Sequence, residues 1–457
     1  MTAVDGGSRA ALLRRRRLAW WILVVLAIAA RVAWAAWVAH AHPEAVRSGD
    51  TPQYLGPARA LLDSGHFTLS PEDPTPMFLR TPGYPVLLAA ILWVTDSVWS
   101  ISPIQAASSA LVVAATVLVG RRLAGVTAGL LAGAIVAFDP LQFALSGTIL
   151  AEALTSFLLV CVVAAAVLAF ARPPRDVRAR HVLLLGTLLA FATMVRPTTY
   201  FFPLVAAVLL AVRYRRLTPR TIAVLLVALL LPSIVIVGGW QVRNHRTLDS
   251  WAVSASPGVT LYCYQGAEVE GLARGIGTRA ARIELGCHPG GWDDLREHCP
   301  EWWPCDDPQR VAYGPGYDEM SRRGARIMLD HPVESAEVLV KGFGRGVLGP
   351  GSDTVGRFLH LDGSGILAGP LFLWNLALWT LATVGAVVGL RSRQRAAWAF
   401  VAALILYVLV VSSGAETGAR FRTPLVPLLA LFAALGARHL AQAWGARRAV
   451  RAGSTPG

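Results

Sequence analysis

Two side chains in one polar stretch, residues 47–85, are of the types needed for acid–base chemistry beside a phosphate. Asp50 stands near its start, and Arg80 immediately precedes a Thr-Pro-Gly-Tyr-Pro turn. A carboxylate can take a proton from an attacking hydroxyl or amine, and a guanidinium can clamp a phosphate by paired hydrogen bonds and so stabilise it as a leaving group. Apolar runs flank the stretch on both sides, which puts it at a membrane surface and suits a substrate that is half lipid and half phosphate. Each residue also has a plainer reading. Asp50 before Thr51-Pro52 is a good helix N-cap, and Arg80 can snorkel to lipid headgroups.

Further charges recur where apolar segments end. Asp139 and Glu152 mark the outer ends of two consecutive apolar runs, and Glu152 opens an Ala-Leu-Thr-Ser-Phe sequence that can face into a bundle. Glu416, Arg420 and Arg422 lie in a charged turn before the last apolar run. If that turn is helical, Glu416 and Arg420 form an i,i+4 pair, while basic residues on the outer side oppose the positive-inside trend and point to anion binding. Arg243 and Asn244 follow Trp240 at the start of a long polar segment and are candidates to line the same site.

The elements that must position these residues follow from composition. Of 457 residues, 54% are hydrophobic and 15% charged, against about 25% charged in soluble domains, and the mean hydropathy is +0.51. The net charge of +14 comes from arginines in short runs between apolar segments. That pattern is membrane topology and excludes a nucleic-acid footprint. The basic run Arg14–Arg17 precedes an apolar stretch of roughly 22 residues, too long for a signal-peptide core, which reads as a retained first span with its basic end in the cytoplasm. Taking every arginine cluster as cytoplasmic yields about ten spans with both termini inside. In that scheme residues 84–98 form an interfacial or re-entrant helix. Residues 1–13 are expected to be a disordered cytoplasmic tail, 14–240 a transmembrane module with a first outer loop over 41–83, 241–365 an outer segment, 366–441 the C-terminal spans and 442–457 a second tail. The expected fold class is an all-α polytopic membrane protein, with interfacial helices in the first loop and mixed structure in the outer segment.

Cys263, Cys287, Cys299 and Cys305 all fall in that outer segment. Clustered cysteines outside a membrane favour disulfides; three pairings are possible and spacing does not choose among them. His288 and His298 beside Cys287 and Cys299 allow zinc as an alternative, although the spacing matches no usual zinc pattern. The chain has no phosphate-cradling Gly-rich P-loop, no HExxH and no GxSxG.

The order of these pieces resembles the C-type integral-membrane glycosyltransferases, in particular the branch with protein O-mannosyltransferases and the lipid A aminoarabinose transferase. The resemblance rests on Gly49-Asp50 with Tyr54 and Ala58, on Arg80 to Pro85, and on Leu150-Ala-Glu152. It continues through Val195-Arg196-Pro197, Gly239-Trp240-Gln-Val-Arg243-Asn244 and Arg420-Phe-Arg422-Thr-Pro-Leu-Val-Pro. It implies an inverting transferase that uses a polyprenyl-phosphate sugar on the extracytoplasmic face of the cell membrane, with a glycan, lipid or protein acceptor. Asp50 then corresponds to the first-loop catalytic acid. Arg80, Tyr84, Glu152, Arg243, Arg420 and Arg422 become candidate substrate-binding residues, with Tyr54, Asp139, Arg196, Asn244 and Glu416 as secondary candidates. Many relatives carry a second acid where this chain has Thr51, so no metal or other cofactor is expected. The rival class is a lipid-linked-sugar flippase or transporter, for which internal repeats and mid-span charges would be expected.

Overall fold

The structure, a computed structural model, describes residues 4–46, 49–171, 173, 176–287, 300, 302–303, 312–361 and 365–451. The described residues form helices and turns without a strand; one isolated bridge joins Thr68 and Pro76 in the first loop. Helix α1 (Val4–Ala41) and a short α2 (Pro43–Val46) lead to α3 (Thr51–Asp63), then α4 (Gly83–Thr95), α5 (Ile101–Ala124), α6 (Val126–Phe138), a short α7 (Pro140–Leu145) and α8 (Glu152–Phe170). Next come α9 (Ala179–Val195), α10 (Phe202–Tyr214) and α11 (Pro219–Pro232), which a π-helical turn at Ser233–Val237 joins to α12 (Gly238–Leu248). The outer segment holds α13 (Ser256–Val259), a π-helical turn at Thr260–Gly266, α14 (Ala267–Ala273), α15 (Thr278–Glu284), α16 (Gly314–Asp330), α17 (Pro332–Leu348) and α18 (Ser352–Leu359). The chain closes with α19 (Ala368–Arg391), α20 (Arg395–Val411), a 3-10 stretch at Ala419–Leu425 and α21 (Val426–Arg451).

Among the described residues, 7 helices are long and apolar enough to cross a membrane, and Gly83–Thr95, Val126–Phe138, Ala179–Val195 and Arg395–Val411 are shorter apolar helices. Every expected span has its helix. Residues 83–95, assigned to the interface from sequence, form a 13-residue apolar helix that packs on α3 and α9. The outer segment, expected to be mixed, consists of helices joined by turns and irregular stretches, without a strand among its described residues. Helix α1 begins at Val4 and α21 runs to Arg451, since a helix nucleated inside a span propagates through Ala, Leu and Arg at little cost.

The bundle is centred on α5, α6, α8 and α21. Their small residues allow close approach, so these helices are buried on several faces, whereas α1, α11 and α19 turn large apolar side chains outward. The closest pair is α19 with α21, where a Cβ at Gly385 or Gly436 would overlap the backbone carbonyl of Phe432 or Leu381. Small residues at such crossings drive helix association where no hydrophobic effect operates.

The two polar segments meet at one end of the bundle. Ala255 N donates to Phe78 O at 3.0 Å and Ser256 Oγ to Leu79 O at 2.7 Å, so the outer segment is pinned to the first loop. The arginine-bearing ends of α5 and α21 meet at the opposite end, where Arg438 donates to Ala124 O and Gln394 to Arg122 O. Replacing Gly385 by Val is expected to wedge α19 from α21 and cost about 2 kcal/mol or more. The measurement is the Tm in detergent, and an unchanged Tm would refute the close crossing.

Candidate active site

Gly49, at φ +63°, turns the chain so that Asp50 precedes α3. Asp50 occupies the N-cap position, yet its side chain makes no capping hydrogen bond. Its two oxygens go elsewhere: Oδ1 accepts from Arg80 Nη2 at 2.7 Å, and Oδ2 from Arg420 Nη2 at 2.6 Å. Of the two local readings of Asp50, geometry therefore rejects the cap. Arg420 Nε also donates to Glu152 Oε1 at 2.5 Å, and Arg196 Nη1 reaches the same oxygen at 3.3 Å. The result is an alternating row of charges, Arg80, Asp50, Arg420, Glu152 and Arg196, drawn from the first loop, α8, the end of α9 and the turn before α21. The i,i+4 pair expected between Glu416 and Arg420 does not form, because residues 413–418 are not helical and Arg420 is committed to Asp50 and Glu152.

Each member is held by its own element. Arg80 lies over the Tyr54 ring, 5.1 Å from its centroid, and donates from Nε to Gln53 Oε1 at 2.8 Å. Arg196 lies 5.2 Å over Phe421. Glu152 is 2% exposed, at the first position of α8, where the helix dipole favours a carboxylate. The loop before it is fastened by α5 and α3: Gln105 Nε2 of α5 donates to Thr148 O and Leu150 O at 2.6 and 3.1 Å, and Thr51 Oγ1 of α3 donates to Ile149 O at 3.0 Å.

Burial alone would raise the Asp50 carboxyl, but Arg80 and Arg420 outweigh it and hold the group below the usual carboxylate range. Across the cavity, desolvation raises the Glu416 carboxyl above its ordinary value, although Thr260 and Tyr264 donate hydrogen bonds to it. The cavity into which these groups open measures about 840 Å³ and also takes residues from the outer segment and α18.

Several sequence candidates lie elsewhere. Tyr84 is fully buried and donates to Gln105 Oε1 at 2.5 Å; it packs edge-on against Tyr54 and supports the site without lining it. Arg422 is also buried and donates to the carbonyls of Gly346, Val347 and Gly349. Arg243 reaches Phe67 O and Met77 O and stacks on Trp240, binding the first loop to α12. Asn244 donates to Ala252 O and Val253 O. Asp139 caps α7 through Gln142 N at 2.9 Å and accepts from Trp374 Nε1 at 2.9 Å. Four of these side chains, Arg422, Arg243, Asn244 and Asp139, bond backbone groups for a shared reason, whereas Tyr84 bonds the Gln105 side chain. At a bundle end the backbone leaves its helices, and the freed carbonyls and amides require buried polar partners.

Sequence reasoning missed Gln53, Thr260, Tyr264 and Arg282, all of which line the cavity. Gln53 was accessible as the residue i+3 from Asp50 on α3. The other three carry no local signal. Cys263 and Cys287 form a disulfide, whereas Cys299 and Cys305 lie outside the described residues. Among the described residues no group of three or more His, Cys, Asp or Glu side chains is placed to hold a metal.

Residues 79–240 match the profile of the dolichyl-phosphate-mannose-protein mannosyltransferase family, a match that takes in Arg80, Glu152 and Arg196. No curated protein matches the sequence significantly. Among solved structures, the archaeal oligosaccharyltransferase AglB from Archaeoglobus fulgidus, in complex with an inhibitory peptide and a dolichol-phosphate, superposes with a TM-score of 0.52 at 14% identity. That superposition covers 96% of this chain and 52% of the other. A second structure of the enzyme, tethered to an acceptor peptide, gives 0.50 at 12% identity over 94% of this chain and 50% of that one. ArnT from Cupriavidus metallidurans bound to undecaprenyl phosphate gives 0.41 at 14% identity, over 91% and 77%. The chain thus spans about half the length of the oligosaccharyltransferase structures whose fold it shares. The family match and the shared fold bear out the resemblance to C-type membrane glycosyltransferases.

The depressed Asp50 carboxyl fixes the sign of a pH effect. A group held below its unfolded value contributes stability that is present above the ordinary carboxylate range and is lost as the pH falls through the lower folded value. Asp50→Asn is therefore expected to lower the Tm at neutral pH, and the gap to the parent should narrow as the pH falls through and below the carboxylate range. A pH-independent gap would contradict the ion pairs.

Proposed function

We propose that the protein is an inverting glycosyltransferase that moves a sugar from a polyprenyl-phosphate donor to a hydroxyl or amine acceptor on the extracytoplasmic face of the cell membrane. The observation that carries this reading is Asp50, bridged by Arg80 and Arg420 at the floor of a large cavity where a membrane bundle meets its polar end. The known structures of similar fold come from enzymes solved with dolichol-phosphate or an acceptor peptide, which supports a lipid donor and a separate acceptor here.

In this reading the acceptor oxygen or nitrogen attacks the anomeric carbon from the face opposite the phosphate. The bond from that carbon to the phosphate oxygen breaks and its electron pair stays on the phosphate, while the acceptor proton passes to Asp50. Arg80 and Arg420 stabilise the charge that develops on the phosphate. As long as both guanidiniums hold Asp50, its carboxylate is a weak base. A donor phosphate that draws them toward itself restores that basicity, so donor binding prepares the base. Glu152 keeps Arg420 in place from behind. The residues present do not suit a divalent cation at this point, since both Asp50 oxygens face guanidiniums and Arg420 lies between Asp50 and Glu152. Accordingly the proposed chemistry needs no metal.

The test is transfer by purified protein in detergent, with a panel of polyprenyl-phosphate sugars, following release of polyprenyl phosphate. Asp50→Asn is expected to abolish release while the protein still binds donor, a loss of at least about 100-fold for a general base. Arg80→Ala should mainly weaken donor binding. Full activity in Asp50→Asn would reject the assignment, and donor binding without any release from the parent protein would favour a transporter.

A further inference from the structure

The cavity wall formed by the outer segment has a feature that the donor chemistry does not use. Arg80, Arg196 and Arg420 are spent on the carboxylates of Asp50 and Glu152. Arg282, on α15, also lines the cavity, but it has no carboxylate within salt-bridge distance among the described residues, and its Nε is buried without a hydrogen-bond partner. Its guanidinium lies 4.4 Å over the Tyr264 ring, a stacking that leaves the in-plane N–H groups available. Glu416 attracts it only from beyond salt-bridge distance. Glu416 accepts instead from Thr260 Oγ1 at 3.2 Å and from Tyr264.

The placement of Arg282 is built into the fold. Cys287, just beyond α15, is joined by the disulfide to Cys263 in the π-helical turn that carries Thr260 and Tyr264. Cys287 N also donates to Arg282 O at 2.7 Å. The arginine and the aromatic ring beneath it are thus braced as one unit. A half-buried guanidinium with an unsatisfied N–H is costly to maintain unless an acceptor arrives to complete it.

The position of that acceptor follows from the lipid. In the donor reading the polyprenyl chain stays with the membrane helices, which keeps its phosphate at Arg80 and Arg420. Arg282 stands on the extramembrane wall. Building on the proposed transferase reading, we propose that Arg282 recognises a phosphate or carboxylate carried by the acceptor glycan, so that the cysteine-braced segment selects anionic over neutral acceptors.

The test measures binding to purified full-length protein of a simple methyl glycoside and of its phosphate monoester, with polyprenyl phosphate as a separate ligand. The phosphorylated glycoside is expected to bind about tenfold tighter than the neutral one. Arg282→Gln should erase that preference without lowering the Tm or the affinity for polyprenyl phosphate, and Arg282→Lys should keep part of it. Equal binding of the two glycosides to the parent protein, including no binding of either, would overturn the proposal, as would a preference that survives Arg282→Gln or is lost instead in Arg357→Gln, a second cavity-lining arginine, on α18. Loss of polyprenyl-phosphate binding in the parent with the glycoside preference intact would refute the donor reading and leave the Arg282 assignment standing.

Discussion

The site depends on one constraint: a carboxylate sealed at the start of α8 must be neutralised. Glu152 is almost wholly excluded from solvent, and a buried charge without a partner would be prohibitive. Arg420 and Arg196 meet that need, and Arg420 in turn places its second face on Asp50. Neutralising Glu152 therefore fixes the turn before α21 against the first loop, bringing together residues from opposite ends of the chain. Breaking such a buried pair typically costs about 3–5 kcal/mol, so the row of charges organises structure as well as chemistry.

The same logic explains the arginines that lie outside the cavity. Arg31 in α1 is buried and donates to Val136 O and Ala137 O at 2.9 and 3.1 Å, closing the C-terminal end of α6. Arg422 does so for the end of α17, and Arg345 for the turn at Gly414 and Ala415. An irregular turn between apolar helices exposes carbonyls that no water reaches, and a fork of guanidinium donors satisfies several at once. Basic residues on the polar side of this bundle are thus divided between pairing with buried carboxylates and binding backbone carbonyls, a division that residue type alone does not reveal.

A cavity walled by transmembrane ends on one side and by braced extramembrane helices on the other separates two tasks. In the proposed reading, the wall at the membrane helices offers paired charges to the donor phosphate. The outer wall is held to the first loop by backbone hydrogen bonds at Phe78 and Leu79 and to itself by a disulfide. Its geometry is therefore set by short-range covalent and hydrogen-bonded links, so acceptor recognition can vary without disturbing the charged floor.

The sequence by itself determined the membrane class, the apolar helices and the polar stretches between them, because hydropathy and arginine placement are local properties that the bilayer reads directly. It also singled out Asp50, Arg80, Glu152, Arg196 and Arg420, since charges at span ends are rare enough to stand out. Only the tertiary structure decided which charges face the cavity. Asp50 and Arg420 meet across most of the chain, whereas Arg422, two residues away, turns the opposite way to cap α17. Arg243 and Asn244 likewise have the right types at the right boundaries, yet their partners are carbonyls of other turns, while Tyr84 and Asp139 meet the side chains of Gln105 and Trp374 on other helices. Those partners exist only after the helices have packed, so no local pattern could announce them.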